Sequence, residues 1–130
     1  MPQLVDIYEV HQIVEQPIHE IGKQAGKPSL FAEVYKACAY GEAFLFMEGE
    51  SFTILKPIVE DGVSKLLVWV AYSKVGNAYH KFMPFIEERA KELEVNEIEF
   101  WTALEPMNRF VRSKGWTKRY TIWSRKCSTN

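Results

Sequence analysis

The first 40 residues carry a helical pattern of apolar positions. Between Leu4 and about Ala25 the apolar residues recur at steps of three and four, namely Leu4, Ile7, Val10, Val14, Ile18 and Ile21. This spacing predicts a helix with one buried stripe. Pro17 is predicted to kink the helix or to split it in two. The break Gly26-Lys27-Pro28-Ser29 then precedes a second predicted helix, from about Leu30 to Tyr40.

After Gly41 the pattern changes to short runs rich in β-formers. The predicted strands are Ala43 to Met47, Ser51 to Val59 and Lys65 to Ala71. Their short, glycine-containing connectors indicate antiparallel hairpins. The third run is almost wholly apolar, as expected for a central strand that is covered on both faces. Pro57 indicates a bulge or a sheet edge in the middle strand.

A turn and a long amphipathic helix follow, within Tyr72 to Glu94. The turn contains Gly76, and Pro84 is predicted to kink the helix or to mark a later start for it. This strand, turn and helix layout is one that proteins use to bind a phosphate group. The stretch therefore predicts the architecture of a phosphate site.

The last quarter is predicted to hold two strands and one helix. In the strand Val95 to Thr102, Glu97 and Glu99 alternate with apolar residues, which predicts one solvated face. A short helix, Met107 to Arg112, and a final strand, Thr117 to Lys126, complete the order α α β β β α β α β. With 130 residues, 47% of them apolar, we expect one globular domain spanning 1–130.

Composition narrows the classes of function. The net charge is -1, although the segment from Met107 to Asn130 holds seven basic residues and no acidic one. That segment could contact nucleic acid, an anionic cofactor or an acidic partner, but a solvated strand face is the simpler interpretation. Cys38 and Cys127 have no metal-type spacing. No signal-like or membrane-spanning run is present, so we expect a cytoplasmic protein without membrane contact.

Two stretches resemble the GCN5-related N-acetyltransferase (GNAT) superfamily. Ile86 to Leu93 is similar to the helix that follows the acetyl-CoA loop of that family, and Arg109 to Trp116 is similar to its late Phe-Tyr-x-x-x-Gly-Phe block. The resemblance implies an α/β (α+β) fold with a mixed, mostly antiparallel sheet flanked by helices. It implies that the sheet is splayed between Lys65–Ala71 and Val95–Thr102, and that an acyl group passes from acetyl-CoA to an amine.

The loop pattern of the family is Gln/Arg-x-x-Gly-x-Gly/Ala, and this chain offers two registers for it. Aligned on the glycine, the pattern falls on Ser73 to Ala78; aligned on the helix, it falls on Lys74 to Tyr79 and puts Asn77 and Tyr79 at the small positions. A Tyr79 ring at the helix start could occupy the volume of a pyrophosphate. The resemblance implies these cofactor contacts: Val70, Ala71, Lys74, Val75, Gly76, Asn77 and Ala78.

The catalytic groups of the family match less well. Val111 stands where the family has the tyrosine that protonates the leaving thiolate, and Tyr120 is the candidate substitute. No carboxylate lies on Lys65–Ala71, so Glu97 and Glu99 are the candidate bases. The same two glutamates also fit an ordinary solvated strand face.

Two functional hypotheses therefore stand side by side. The first is an acetyl-CoA-dependent N-acyltransferase with a degenerate loop. The alternative is a catalytically inactive GNAT-fold structural or interaction protein with protein partners, similar in texture to small GNAT-like proteins of tailed bacteriophages, some of which are virion components. The alternative implies a location in the host cytoplasm or the virion. Nucleic-acid binding through the basic C-terminal segment is the weakest hypothesis.

Overall fold

The computed structural model describes residues 2–101, 117–119 and 122–126, the last two ranges and residue 101 by their backbone alone. One mixed sheet has the strand order β1-β2-β3-β4-β5-β7-β6. Three helices accompany it in this described part of the chain. The strands are β1 (Gln3–Val5), β2 (Phe44–Glu48), β3 (Ser51–Glu60), β4 (Val63–Tyr72), β5 (Glu97–Trp101), β6 (Thr117–Arg119) and β7 (Ile122–Lys126), and the helices are α1 (Ile7–Gln24), α2 (Leu30–Ala39) and α3 (Ala78–Glu92).

The start of the chain corrects the predicted first helix. Residues Gln3–Val5 form an edge strand, antiparallel to β2, and α1 begins only at Ile7. Asp6 separates the two elements as the N-cap of α1: its backbone is still extended, and its side chain accepts a hydrogen bond of 2.9 Å from the amide of Tyr8. Leu4 fits the apolar spacing of the helix, and for this reason the sequence pattern did not indicate the strand.

Helix α1 runs without a break through Pro17, so the predicted split is wrong. It packs closely on α2, and Gly22 marks the contact. A Cβ atom at Gly22 would lie 2.5 Å from the carbonyl oxygen of Lys27 and 2.9 Å from Cβ of Leu30. Only glycine therefore permits this approach of the two helices.

The predicted hairpins are confirmed. Strands β2, β3 and β4 pair antiparallel in succession. The β2 pairing covers only Ser51 to Leu55 of β3, so the second half of β3 is a local edge on that side in the described pairings. Pro57 lies in this half, where its missing N–H costs no hydrogen bond on the open side.

Helix α3 links β4 to the parallel strand β5. Strand β5 pairs antiparallel with β7, and β7 pairs antiparallel with β6. The prediction of a single last strand is wrong, because Thr117–Arg119 and Ile122–Lys126 form an antiparallel hairpin. The predicted helix from Met107 to Arg112 lies outside the described residues. The confirmed part of the architecture is the α/β class with its mixed, mostly antiparallel sheet.

The sheet buries a core on each face. One core packs under α3 and contains Leu55, Leu66, Val68, Phe82, Met83, Ile86, Ala90, Val95, Ile98 and Phe100. The other packs under α1 and α2 and contains Ile7, Val14, Ile18, Leu30, Val34, Ala37, Ala43, Leu45, Met47, Phe52, Ile54 and Val70. Strand β4 contributes to both, which confirms that it is covered on both faces. No helix among the described residues has the length and apolar character needed to cross a membrane.

Candidate functional site

Strand β4 contains a β-bulge at Trp69. Ile54 pairs with Val70, whereas the next residue of β3, Leu55, pairs with Val68. Trp69 is therefore an extra residue on β4 without an opposite residue on β3. Its half-buried indole carries a buried Nε1 without a hydrogen-bond partner in the described part of the chain. A bulge of this kind increases the local twist and redirects the strand.

The bulge changes the face of the sheet that the β4 side chains reach. Val68 belongs to the core under α3, but Val70 belongs to the core under α1 and α2. In a regular strand two residues that are two apart would share a face. The end of β4 is thus rotated relative to its beginning, directly before the loop that leads to α3.

The described pairs of β4 with β5 stop at Val68, directly before the bulge. Four pairs join the two parallel strands, from Lys65 with Glu97 to Val68 with Phe100. Beyond Val68, β4 continues to Tyr72 beside β3 only, in the pairings that the structure describes. The β5-facing backbone groups of this segment, which includes Val70 and Ala71, therefore have no strand partner among the described pairings. The splay that the resemblance implied between the two strands stays a prediction, because residues 102–116 lie outside the described part of the chain.

A network of small polar side chains holds the loop after β4. The Oγ atom of Ser73 donates a hydrogen bond of 2.5 Å to Oδ1 of Asn77 and accepts one of 3.5 Å from Oγ of Ser51. The amide of Gly76 donates to the carbonyl oxygen of Ser73 at 3.0 Å. Ser51 and Ser73 are both buried, so the loop is fixed to the start of β3.

Gly76 is the loop residue that needs the freedom of glycine. Its φ is +77°, in the left-handed region, and a Cβ atom there would meet nothing within 4 Å. Asn77 has an ordinary φ of -114°. The pattern aligned on the glycine therefore matches the backbone, because its glycine falls on the one loop residue with a positive φ.

The first turn of α3 favours an anion. The N-terminal amides of a helix lack intrahelical acceptors and carry partial positive charge. Asn77, at the N-cap, makes no side-chain cap hydrogen bond, and the first turn contains no acidic residue. Lys74 and Lys81 add positive charge, although each is paired with a glutamate, Lys74 with Glu50 at 2.7 Å and Lys81 with Glu48 at 3.2 Å.

The ring of Tyr79 packs inward. It is half-buried against the core under α3, and its ring centroid lies 5.9 Å from that of His80 in an edge-on contact. Ala78, the first residue of α3, packs against the same core. Part of the Tyr79 side chain thus packs against the core under α3.

Glu97 and Glu99 are buried, which corrects the prediction of a solvated strand face. Their exposed fractions are 7% and 4%. They lie on the face of β5 opposite Ile98, which belongs to the core under α3. The structure therefore brings both candidate bases into the interior beside β4.

A buried ion pair holds Glu99. The Nζ atom of Lys65 lies 2.8 Å from Oε1 of Glu99, and 3.6 Å from Oε1 of the more exposed Glu60. The hydrogen bond to Glu99 raises the pKa of Lys65 above its usual range, against the effect of burial, and Glu60 and Glu97 add to the rise. At neutral pH this lysine is charged, and its partner Glu99 lies opposite Leu67, two residues before Trp69, in the cross-strand register.

The remaining candidates divide between described and undescribed parts of the chain. Tyr120, Val111 and Cys127 lie outside the described residues. Within the described residues, no group of three or more histidine, cysteine or acidic side chains could hold a metal ion. Burial raises the pKa of Cys38 to about 11, so its thiol is a weak nucleophile at neutral pH.

Three site features were missed at the sequence level. The bulge at Trp69 has no sequence signal, because it follows from the register between β3 and β4. The Lys65–Glu99 pair had a weak signal, since a lysine at the start of an otherwise apolar strand needs a buried counter-charge. The serine link from Ser51 to Ser73 joins residues 22 apart, and only the fold brings them together.

Comparison with known proteins identifies the fold. No protein-family model matches the chain, and no curated protein sequence matches it. Among solved structures it is similar to a proposed acetyltransferase from Staphylococcus aureus Mu50, with a TM-score of 0.64 and 14% identity over 98% of this chain and 99% of that chain. It is also similar to a proposed GNAT-family acetyltransferase from Desulfovibrio desulfuricans, with a TM-score of 0.65 and 9% identity over 98% of this chain and 99% of that chain.

These similarities cover nearly the whole of each chain, so the protein has the GNAT fold. At such low identity they establish the fold alone. The expected GNAT-like fold class is thereby confirmed, whereas the first strand, Gln3–Val5, was not predicted from the sequence.

Proposed function

We propose that the protein is an N-acyltransferase that uses acetyl-CoA or a related acyl-CoA to acylate an amine. The observation that supports this most directly is the bulge at Trp69, which lies where the described pairs of β4 with β5 stop, shortly before the loop with Gly76 and the start of α3. A cofactor with an amide-containing arm and a pyrophosphate needs both features. The amide-containing arm needs a strand edge with unpaired backbone groups, and the pyrophosphate needs backbone N–H donors.

The residues around the loop fit such a cofactor. The segment Val70 and Ala71 offers backbone groups on the β5 side, and Lys74 to Ala78 surrounds the start of α3. The space beside Gly76 is open, so a phosphate can approach the backbone there. The charge balance is also suitable, because the first turn of α3 has no acidic side chain to repel an anion.

The bound thioester would supply the acyl group and a thiolate leaving group. This chain would hold the thioester against β4, keep water from it, and accept the proton of the attacking amine on a carboxylate. Glu99 is the better placed base, because its partner in the register is closer to the bulge than that of Glu97. We assign Glu97 as the alternative base and Tyr120 as the candidate donor to the thiolate.

Titration calorimetry with CoA and acetyl-CoA tests the proposal. We expect saturable binding of both at micromolar to low millimolar concentration, with weakening at high salt because the pyrophosphate is charged. Turnover is then followed by chromatographic detection of free CoA with a panel of primary amines, a method that the protein's own thiols do not disturb. An absence of heat at millimolar concentration of both ligands contradicts the proposal.

The second candidate is a GNAT-fold protein that binds but does not turn over, or acts only as a structural or interaction module. The pair between Lys65 and Glu99 favours it, because the Lys65 ammonium, 2.8 Å from the Glu99 carboxylate, competes with a substrate amine for that carboxylate. A role in a virion would belong to this candidate. This candidate differs from the enzyme in its expected outcome: the parent and Glu99→Gln bind CoA equally well, and neither releases free CoA from acetyl-CoA with any amine.

A further inference from the structure

Trp69 and Lys56 lie next to each other at the bulge, and both carry hydrogen-bond donors without an acceptor. The Nε1 atom of Trp69 is buried and unpaired, and Nζ of Lys56 lies 5.0 Å from the centroid of the same indole ring. Lys56 has no ion pair or hydrogen bond in the described part of the chain. A cation–π contact leaves the N–H groups of an ammonium without an acceptor. A buried unpaired donor is costly, so the presence of these donors at one place needs an explanation.

Lys56 differs in this respect from the other lysines that are shielded from water. Three lysines in the described ranges are buried or half-buried, namely Lys56, Lys65 and Lys81. Lys65 lies 2.8 Å from Glu99, and Lys81 lies 3.2 Å from Glu48. Removing a positive charge from water without a counter-charge is unfavourable, and these two pairs avoid that cost. An anion is thus the partner that Lys56 lacks.

Lys56 also shares a cross-strand row with Glu99. Lys56 is opposite Leu67 of β4, and Leu67 is opposite Glu99 of β5. Neighbouring strands are about 4.8 Å apart, so Lys56 and Glu99 start from backbones about 10 Å apart, on either side of Leu67. Leu55 belongs to the core under α3, and the next residue, Lys56, therefore lies on the other face of the sheet. Trp69 lies on that same face, because it packs against the core under α1 and α2.

A cation and a carboxylate on either side of an apolar residue match a ligand of the opposite polarity. The amine of the acyl acceptor has to reach the proposed base, Glu99, and this places the other end of the acceptor near Lys56 and Trp69. A carboxylate suits that end, since its two oxygens can accept from an ammonium and from an indole N–H at the same time. A neutral amide or hydroxyl group would leave the charge of Lys56 unbalanced. The arrangement therefore favours an acceptor that has both an amine and a carboxylate.

We propose that the acyl acceptor is a free amino acid, whose carboxylate is bound by the Lys56 ammonium and the Trp69 indole N–H while its amine faces Glu99. This inference rests on the proposed function and names the substrate class of the same site. In the reaction the amine nitrogen bonds to the acyl carbon and the carbon–sulfur bond breaks. The proton that the amine loses balances the one that the CoA thiolate gains. Lys56 and Trp69 determine the specificity for the acceptor and take no part in this step.

Entry of the carboxylate requires a movement of the side chains at the indole, because Nε1 is buried in the ligand-free chain. Lys56 is suited to move, since its stem is flexible and the ring of Trp69 is its described partner. Binding then replaces a cation–π contact at a half-buried position by a charge-assisted hydrogen bond, which is the stronger interaction.

The first test observes the indole N–H groups in nitrogen–proton correlation spectra of the parent protein. The chain has four tryptophans, and the Trp69 resonance is the one that is missing from the spectrum of Trp69→Phe. The probes are glycine with methylamine, leucine with isoamylamine and phenylalanine with phenethylamine, each added with and without millimolar CoA. We expect an amino acid to shift the Trp69 resonance saturably and its decarboxylated partner not to shift it. If no indole resonance distinguishes any amino acid from its amine, the proposal is overturned, whatever the variants show.

The second test removes one donor at a time. Trp69→Phe keeps an aromatic ring without the N–H, and we expect affinity for the amino acid to fall about tenfold in calorimetry. Lys56→Met keeps the length of the side chain without its charge, and we expect a loss of about fivefold, because a half-buried charge is partly screened. Lys36→Met, which removes an exposed lysine of α2, is the control and should leave the affinity unchanged. Equal losses for all three variants would overturn the proposal.

Turnover separates this inference from the proposed function. If amino acids shift the Trp69 resonance but no amine or amino acid releases CoA from acetyl-CoA, the proposed function is wrong and the carboxylate site stands. If simple amines are acylated but no amino acid shifts the resonance, the carboxylate site is wrong and the proposed function stands. If both hold, the ratio of kcat/KM for the amino acid to that for its amine should fall about tenfold in Trp69→Phe. An unchanged ratio would contradict the role of Trp69 in specificity.

Discussion

Two lysine–glutamate pairs lie at opposite ends of β4 and differ mainly in burial. Lys65 lies 2.8 Å from Glu99, and their side chains are each 6% exposed. Lys74 lies 2.7 Å from Glu50, and their side chains are 69% and 64% exposed. The two pairs have nearly equal distances but should contribute differently to stability, because water competes for the exposed pair and is excluded from the buried one.

The comparison separates a structural end of the candidate site from an exchangeable end. At the start of β4 the charges satisfy one another, and a ligand could engage Glu99 only in competition with Lys65. After the end of β4, Lys74 can leave Glu50 for a phosphate at small cost. The site is thus more open where the cofactor is proposed to bind than where the proton is proposed to move.

The largest expected effect comes from breaking the buried pair. Lys65→Met leaves the Glu99 carboxylate buried without its partner and should lower the free energy of unfolding by about 3–5 kcal/mol, measured by urea denaturation. Lys65→Met combined with Glu99→Leu removes both charges and should recover most of that loss. A loss under about 1 kcal/mol for the single variant, the range of exposed pairs, would remove the distinction between the two pairs.

Alkaline pH should weaken the same pair more gradually. The folded pKa of Lys65 is raised above its ordinary value of 10.5, mainly by the hydrogen bond to Glu99. The stability from this group is therefore fully present below pH 10.5 and is lost as the pH rises through the folded pKa. Urea midpoints of the parent between about pH 9 and 12, compared with those of the double variant Lys65→Met/Glu99→Leu, should show a steeper decline for the parent.

Glycine at the loop end can be tested against a matched glycine at the other end of β4. Gly76 and Gly62 both have φ +77°, and at either residue an added Cβ atom would have no neighbour within 4 Å. Alanine at either position should cost about 1 kcal/mol of stability because of the left-handed backbone. Only Gly76→Ala should also weaken CoA binding, by about tenfold, in calorimetry. Equal affinities for the two variants would contradict the placement of the cofactor at this loop.

The smallest effect is expected at the exposed pair. Lys74→Ala should change the free energy of unfolding by less than about 0.5 kcal/mol. If Lys74 contacts a phosphate, CoA affinity should fall about threefold at low salt, and the difference should shrink at high salt. Lys91→Ala is the control, since it removes the same charge from the far end of α3. A stability loss as large as that of Lys65→Met would show that burial does not distinguish the two pairs.

The helices and hairpins were predictable because local spacing encodes them. The apolar stripe of α1 and the glycine-bearing turns between β2, β3 and β4 each specify one element without reference to the rest of the chain. The edge strand β1 was not predictable, because three residues are too few to show alternation and Leu4 also fits the helical stripe. The last hairpin was hidden for a similar reason, since both of its strands lie within one alternating run.

The candidate site was predicted only in part. Gly76 and the start of α3 carry local signals, and the structure places them together after β4. The alternation around Glu97 and Glu99 indicates one polar face, but whether that face meets water or Lys65 depends on the neighbouring strand. Binary patterning along one strand cannot reveal a buried counter-charge on another.

The sequence by itself determined the elements, the strand–turn–helix with Gly76, and the likeness to the GNAT superfamily, because these depend on residues close in the chain. Only the tertiary structure decided that Glu99 is paired with Lys65, that Ser51 anchors Ser73, and that β4 bulges at Trp69. Each of these depends on the register and packing of residues far apart in sequence. These contacts decide which polar groups are already paired within the protein and which could still contact a ligand.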